Sequence, residues 1–285
     1  MSLRDAMSDA TQVFASVSDT PRLDAELLMA HALGLSREAL LLGSLEAPPP
    51  AGFNALVARR AAHEPIAYIT GFRDFWTISL AVAPSVLIPR PDSETLLEAA
   101  VQYFTSPLGG GVGPSTILDL GTGSGALLLA ALTEWPEAQG LGVDASDVAL
   151  EVARANAHRL GLASRSRFTT GNWGAGLCER FDLILCNPPY IELGAWLPTD
   201  VKDYEPEAAL YAGSDGLDAY RSLIPQLPSL INPDGMIAVE IGATQATEVS
   251  ELFVANGLMP HVKHDLGGRD RAIVHFSLGL VGKGR

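Results

Sequence analysis

The stretch TILDLGTGSG, residues 116–125, runs from an apolar segment into three closely spaced glycines, and a second apolar segment follows it. Its first five residues read as a buried strand and the residues after it as a helix. Gly121, Gly123 and Gly125 allow a tight strand-to-helix turn against which a ligand can lie. The spacing is G-x-G-x-G rather than the G-x-G-x-x-G of dinucleotide-binding proteins, so the loop alone leaves its ligand open.

Strands and helices alternate after this loop. The pattern predicts strands at 140–143, 167–169, 181–186 and 236–241, and helices at 147–160, 217–227 and 245–256. Such alternation is typical of a mostly parallel sheet with helices on both faces, an α/β fold. Only a short Gly-rich turn separates the last two predicted strands, 260–264 and 272–276, which favours an antiparallel hairpin at the edge of the sheet.

The chain before this alternation has a different pattern. Residues 1–72 carry apolar positions at helical spacing and predict a small helical bundle, with helices at 3–17, 22–33 and 53–62. Residues 73–90 then alternate apolar and polar positions, which predicts a linking β-hairpin with strands at 75–82 and 85–88. Residues 91–285 form the predicted catalytic domain.

Composition limits the classes of partner. The 285 residues contain 19 Lys+Arg and 33 Asp+Glu, a formal net charge of -14, which disfavours nucleic acid as a partner. The sequence shows neither a membrane-spanning run nor a secretory signal. The two cysteines and six histidines form no metal-binding spacing, so we expect no metal. We expect a monomeric, cytoplasmic protein that does not bind a membrane.

Further candidate cofactor residues follow the next two predicted strands. Asp144 closes one of them, about twenty residues after the Gly loop, where a carboxylate can accept both ribose hydroxyls. It could instead cap the following helix, although Ser146 and Asp147 are better placed for that role. Asn172 and Trp173 follow the third strand and could hold an adenine, with a core Trp as the alternative. Because no phosphate-binding Lys motif occurs, the pattern points to a nucleoside without phosphates, S-adenosylmethionine.

The fourth predicted strand ends in the corner Asn187-Pro-Pro-Tyr190. In open α/β sheets ligands bind at the carboxyl ends of the strands, so this corner should face the same crevice as the Gly loop. Asn187 offers a side-chain acceptor and Pro188 a backbone acceptor, while Pro188 and Pro189 lack an N–H. Tyr190 can stack on a planar group. The corner therefore predicts a receptor for an –NH2 group on a flat substrate, although it could also be only a rigid turn.

These motifs resemble a known family. The Gly loop and the Asn187–Tyr190 corner are similar to those of amino-methylating S-adenosylmethionine-dependent methyltransferases, whose substrates include bases and glutamine. The segments EPIAYITG (64–71), LIPRPDSE (87–94) and YEP (204–206) resemble the HemK/PrmC family along nearly the whole chain. Members of that family methylate N5 of the glutamine in the Gly-Gly-Gln loop of bacterial peptide chain release factors.

The resemblance implies a Rossmann-like class I methyltransferase sheet, with residues 1–72 helping to dock the protein substrate. The implied cofactor residues are Gly121, Thr122, Gly123, Ser124, Gly125, Asp144, Asn172, Trp173 and Asn187. The implied catalytic residues, which would bind the glutamine amide, are Asn187, Pro188, Pro189 and Tyr190. The family commonly has Asp where this chain has Asn172, and often Phe where it has Tyr204; the first change puts the contact with the adenine amino group in question.

Three alternatives to this function remain. A related enzyme could methylate a glutamine of a ribosomal protein with the same chemistry. A DNA or RNA amino methyltransferase would share the two central motifs, although the acidic composition argues against it. A binding module without activity would keep the fold while losing the chemistry, but both motifs are intact.

Overall fold

The computed structural model describes residues 1–277. Its helices are α1 (Leu3–Phe14), α2 (Pro21–Leu33), α3 (Arg37–Leu42), α4 (Phe53–Ala61), α5 (Ile66–Thr70), α6 (Glu94–Thr105), α7 (Ala126–Glu134), α8 (Asp147–Arg159), α9 (Thr199–Lys202), α10 (Asp218–Leu223), α11 (Leu227–Leu230) and α12 (Ala246–Ala255). Its strands are β1 (Phe72–Phe75), β2 (Ile78–Ala81), β3 (Thr116–Leu120), β4 (Gln139–Asp144), β5 (Ser166–Thr170), β6 (Phe181–Cys186), β7 (Ile231–Glu240), β8 (His261–His264) and β9 (Asp270–Phe276).

The described chain divides into two compact units, and the first comprises Met1–Phe72 with Leu197–Glu205. Its first helix begins with a capping box, because Ser2 and Asp5 exchange hydrogen bonds between side chain and backbone amide. The apolar faces of α1, α2 and α4 meet in a core that includes the fully buried Phe14. The amphipathic pattern of the sequence thus produces a helical bundle with its own core.

A buried ion pair joins α2 and α4 within this first unit. Arg60 Nε donates to Asp24 Oδ2 at 2.8 Å, and both side chains are buried. The same guanidinium lies 3.9 Å from Asp200, and the Tyr204 hydroxyl donates to the Ala62 carbonyl at 2.6 Å. The segment Leu197–Glu205 therefore packs with the bundle, although the sequence predicted it within the catalytic domain, residues 91–285.

The second unit, Arg73–Trp196 with the described residues from Pro206 onward, contains the main sheet. Among the described residues, seven strands pair in the order β5-β4-β3-β6-β7-β9-β8. The strands β3 to β7 run parallel to one another, while β9 runs antiparallel to both β7 and β8. This arrangement confirms the predicted α/β class, including the antiparallel edge hairpin.

Helices cover both faces of this sheet. Because consecutive residues of a strand point to opposite sides, each central strand contributes side chains to two cores. In β3, Ile117 packs into one core with α6 and α7, and Leu118 packs into the other. In β6, Leu183 and Ile184 divide in the same way. The continuous apolar runs of the central strands are thus explained by burial on both sides.

The linking hairpin is present, but the predicted bounds of its strands were wrong. The strands are β1 and β2, and their turn contains Trp76, whose φ is 54°. Residues 85–88, predicted as the second strand, form none. The nearby Pro89 and Pro91 have no N–H to donate to a ladder, which limits strand pairing here.

The structure also bears on membranes and metals. Within residues 1–277, no helix has both the length and the apolar character needed to cross a membrane. Over the same residues, no three His, Cys, Asp or Glu side chains lie together in a way that could hold a metal ion. Cys178 is exposed and Cys186 is buried, and neither forms a disulfide.

Candidate active site

A cavity of about 440 Å³ lies in the second unit where β3, β4 and β6 end. The predicted site residues that line it are Gly121, Gly123, Asp144, Asn172, Trp173, Asn187 and Pro189. The other predicted residues do not line it: Thr122, Ser124, Gly125, Pro188 and Tyr190. The parallel sheet therefore brings the Gly loop and the Asn187 corner to one cavity, although they are far apart in sequence.

The Gly loop is held in a conformation that suits glycine. Gly121, Gly123 and Gly125 have φ values of 73°, 54° and 85°. The amides of Gly121 and Thr122 both donate to the Val143 carbonyl, at 2.8 and 3.0 Å, which attaches the loop to the end of β4. A Cβ at Gly121 would lie 3.2 Å from the Trp173 ring. The loop thus needs glycine at this position for both its backbone angle and its close approach to the indole.

Asp144 joins the loop to the next helix. One carboxylate oxygen accepts from the Gly123 amide and the other from the Ser146 amide, each at 2.9 Å. Ser146 itself caps α8, because its hydroxyl accepts from the Ala149 amide at 3.2 Å. Asp144 is therefore not the helix cap. Each of its oxygens keeps a lone pair that can accept a ligand hydroxyl.

Asn172 and Trp173 form another wall of the cavity. Asn172 is exposed, while Trp173 is partly buried and packs against the core below. Trp173 has a φ of 54°, a left-handed conformation that is unusual for a bulky residue. Its ring thus belongs both to the core and to the cavity wall, so the two predicted roles do not exclude each other.

Hydrogen bonds to Ser93 and Glu240 hold the Asn187 corner. The Asn187 side-chain Nδ2 donates to Ser93 Oγ at 3.0 Å, which leaves its carbonyl oxygen available as an acceptor. Pro188 is buried and Pro189 lines the cavity. The Tyr190 hydroxyl donates to Glu240 Oε1 at 3.2 Å. The corner thus offers the Asn187 side-chain oxygen as an acceptor, and its two prolines contribute no backbone N–H.

Two buried carboxyl groups lie close to these loops. Burial raises the pKa of Asp119 to about 7, against hydrogen bonds from the Thr122 hydroxyl and the Leu128 amide. Burial likewise raises the pKa of Glu240 to about 7, although the Ser93 and Arg271 side chains lower it. Such perturbed acids concentrate near functional sites.

Several residues of this region were not predicted from the sequence. Ser93 stands in the LIPRPDSE segment, but no role was assigned to it. Glu240 ends the apolar strand β7 with a lone acid, the same signal that identified Asp144 at the end of β4. Residues 85–87 line the cavity, as do Pro206, Ala208 and Ala209. No spacing in the sequence indicated these wall residues.

Comparisons with known proteins match both parts of the chain. A model of the PrmC N-terminal domain matches residues 5–71, and a methyltransferase-domain model matches residues 114–265. The release factor glutamine methyltransferase of Rhodospirillum rubrum is 44% identical, with 90% of this chain and 79% of that protein covered. The corresponding protein of Caulobacter vibrioides is 40% identical, with 90% and 89% covered. The chain belongs to the release factor glutamine methyltransferase family.

A solved structure of another protein has a fold similar to that of this chain. The hMettl16 catalytic domain, in complex with the MAT2A 3'UTR hairpin 6, covers 89% of this chain and 94% of its own, with a TM-score of 0.56. At 14% identity this likeness shows the fold alone. The family is one of class I methyltransferases, which implies the use of S-adenosylmethionine.

Proposed function

We propose that this chain transfers a methyl group from S-adenosylmethionine to N5 of the glutamine in the Gly-Gly-Gln motif of bacterial release factors. One observation carries the proposal: Asn187 and Pro189 of the corner, Gly121 and Gly123 of the loop, and Asp144 line a single cavity. The relatives at 40–44% identity, named release factor glutamine methyltransferases, support the choice of substrate. A translation factor as substrate implies a reaction in the cytoplasm.

The cavity residues fit this cofactor. Asp144 supplies a carboxylate for two ribose hydroxyls, and the bare backbone at Gly121 allows close approach. Trp173 offers a ring to the adenine, and the Asn172 amide oxygen can accept from its amino group in place of the usual Asp. The buried Thr122, Ser124 and Gly125 would act by shaping the loop.

The residues of the corner would do most of the chemistry by alignment. An amide nitrogen is a poor nucleophile, because its lone pair is delocalised into the carbonyl. Asn187 Oδ1 and the Pro188 carbonyl would accept its two hydrogens and aim the nitrogen at the cofactor site. These acceptors would also stabilise positive charge that develops on nitrogen, while the Tyr190 ring would cover the planar amide.

When bound, S-adenosylmethionine supplies an electrophilic methyl group on a sulfonium. The carbon–nitrogen bond would form as the carbon–sulfur bond breaks, and the electron pair of that bond would stay on sulfur, which would give S-adenosylhomocysteine. The nitrogen then releases one proton to water. No strong base is needed before the transfer, because the proton becomes acidic only after the nitrogen has been alkylated.

We also propose that residues 1–72 dock the protein substrate. This region forms a compact unit together with residues 197–205, has its own core and matches a family model of its own. Hydrogen exchange with and without a release factor tests this role. Protection within residues 1–72 is expected, whereas protection confined to the second unit would contradict it.

The proposed activity is tested by methyl transfer from labelled S-adenosylmethionine. A bacterial release factor should become labelled, and its variant with the Gly-Gly-Gln glutamine replaced by alanine should not. A ribosomal protein mixture and DNA serve as competing substrates in parallel reactions. Label in the ribosomal proteins or in DNA, with none in the release factor, would contradict the proposed function and favour the corresponding alternative.

A further inference from the structure

A fully buried side-chain amide joins the Gly loop to the linking hairpin, and the proposed chemistry gives it no role. Asn156 lies on α8, near its carboxyl end, and is completely buried. Its side chain makes three hydrogen bonds to backbone groups outside its own helix. Since leaving such buried groups unpaired is costly, these bonds fix the segments that they join relative to each other.

The partners of this side chain determine its orientation. Asn156 Oδ1 accepts from the Ala81 amide at 2.7 Å, while Nδ2 donates to the Ala81 carbonyl at 2.9 Å and to the Ser124 carbonyl at 3.0 Å. A backbone N–H can only donate and a backbone carbonyl can only accept, so a reversed amide would lose all three bonds. Both hydrogens of Nδ2 are used, and neither is left for another partner.

On one side the amide holds the hairpin. Ala81 is the last residue of β2, and two residues earlier the Arg159 guanidinium donates to the Ser79 carbonyl. Side chains of α8 therefore bind the backbone of β2 at two positions. Residues 85–87, which line the cavity, follow β2 after three residues. The position of this cavity wall thus depends on how β2 is attached to α8.

On the other side the amide holds the Gly loop. Ser124 is buried and lies between Gly123 and Gly125, whose φ values of 54° and 85° belong to a flexible type of residue. A Cβ at Gly125 would lie 3.4 Å from the Cβ of Ala153, one turn before Asn156 on α8. This face of α8 therefore lies against the end of the loop. The hydrogen bond to the Ser124 carbonyl restrains the loop where its glycines leave it most free.

We propose that Asn156 is a positioning residue for the cofactor, which holds the Gly loop and the wall at residues 85–87 in fixed relative positions. This inference rests on the proposed function, in which the cavity between these elements binds S-adenosylmethionine. Asn156 does not line the cavity, so it acts through the residues that do. A loop held in its binding conformation before the cofactor arrives costs less conformational entropy on binding.

The substitution Asn156→Asp tests the inference, because aspartate keeps the shape and the acceptor for the Ala81 amide. An ionised aspartate has no hydrogen for the carbonyls of Ala81 and Ser124, and a protonated one has a single hydrogen for the two. The dissociation constant for S-adenosylmethionine, measured by calorimetry, should rise about tenfold or more, the scale of a hydrogen bond lost in a buried setting. In the ligand-free protein, amide hydrogen exchange within residues 121–128 should become faster.

Steady-state kinetics distinguish positioning from loss of folded protein. For methylation of a release factor, the KM for S-adenosylmethionine should rise about tenfold, while kcat at saturating cofactor should stay within a factor of about three. A variant that only unfolded in part would show a lower kcat, and the KM of its remaining folded molecules would be that of the wild type. A fall in kcat with unchanged KM would therefore overturn the positioning role.

Asn256→Asp is the matched control. Asn256 follows α12, is half-buried and does not line the cavity, and its Nδ2 donates to the Leu252 carbonyl at 2.8 Å. The same substitution there removes a donor and places a negative charge at the end of a helix, which should lower stability. The dissociation constant for S-adenosylmethionine should stay within a factor of about two. An equal loss of affinity in both variants would contradict a specific role for Asn156.

The outcomes separate this inference from the proposed function. A wild-type protein that does not bind S-adenosylmethionine overturns both. A wild-type protein that binds it but labels no release factor overturns the proposed substrate, and the dissociation constants then decide the inference by themselves. Unchanged affinity in folded Asn156→Asp overturns the positioning role alone. If Asn156→Asp does not fold, Asn156→Ala, which introduces no buried charge, takes its place with the same expected loss of affinity.

Discussion

At the scale of single residues, the proposed site depends on side chains that offer acceptors in a buried setting. Asn187 is the central one, because its amide is already tied through Nδ2 and has one acceptor left. The acceptor it offers is neutral, so it can hold an –NH2 group without the desolvation cost of a buried charge. This choice of residue suits a substrate that carries no charge itself.

Asn187→Ala is expected to abolish methyl transfer while the affinity for S-adenosylmethionine falls at most about tenfold. The alanine removes the acceptor for the substrate amide but leaves Asp144 and the Gly loop in place. Labelled methyl transfer and calorimetry measure the two effects separately. Turnover close to that of the wild type would exclude Asn187 as the amide acceptor.

Asp144→Ala is expected to weaken the binding of S-adenosylmethionine by about 1–3 kcal/mol, the scale of hydrogen bonds to a charged group. Asp147→Ala is the control, because Asp147 is an exposed carboxylate three residues away that does not line the cavity. Calorimetry on both variants makes the comparison. Equal affinities for the two would remove Asp144 from the cofactor site.

The buried Asp119 leads to a prediction on stability. Its pKa is about 7 in the folded protein against an ordinary value of 3.8, so between these pH values the folded state holds a proton that the unfolded state has lost. The free energy of unfolding must therefore fall as pH rises through this window, by up to about 1.4 kcal/mol per pH unit for one group. Asp119→Asn should remove this contribution.

Urea denaturation from pH 5 to pH 8 measures that effect as a difference between the variant and the wild type. Glu240, whose pKa is also about 7, contributes a slope of the same sign in both proteins. The free energy of unfolding of the variant should therefore still fall with rising pH because of Glu240, but by less than that of the wild type. Parallel curves for the two proteins would show that Asp119 is ionised throughout.

At the scale of elements, the sequence identified strands, helices and the two loops that follow β3 and β6. These features are local, because apolar runs and closely spaced glycines determine them within about ten residues. The Ser93–Asn187 contact joins positions 94 residues apart, and no local pattern encodes it. The cavity wall at residues 85–87 was taken for a strand because its apolar pattern suits either role.

The Gly loop gives the prediction at this scale. Gly121→Ala should destabilise the protein and weaken the binding of S-adenosylmethionine. The alanine would have to adopt the unfavourable φ of 73°, and its Cβ would lie 3.2 Å from the Trp173 ring. Gly161→Ala is the matched control, with a φ of 72° and open space around the added Cβ. The control should lose about 1 kcal/mol of stability and no cofactor affinity.

Thermal or urea denaturation and calorimetry compare the two glycine variants. The difference between their stabilities isolates the clash with Trp173, since the cost of the backbone angle is common to both. Equal stability and equal affinity would mean that the indole moves away at no cost. In that case Trp173 would not be a fixed wall of the cavity.

At the scale of the whole molecule, the net charge of -14 disfavours a nucleic-acid substrate. Proteins that hold DNA neutralise its phosphates with Lys and Arg, and the release of counterions makes that binding strong at low salt. This chain has 19 such residues against 33 acidic ones. The fold it shares with hMettl16 therefore does not carry over the substrate class, because function depends on the site and the surface.

Release factor methylation should consequently be insensitive to added duplex DNA at about 0.15 M salt, the physiological ionic strength. The competitor should neither acquire label nor raise the KM for the release factor, because an acidic surface repels it. The same titration at low ionic strength is the stricter condition, since repulsion is then less screened and competition should be weaker still. Inhibition by DNA that grows as salt is lowered would reveal a basic groove despite the overall charge, and would favour the nucleic-acid alternative.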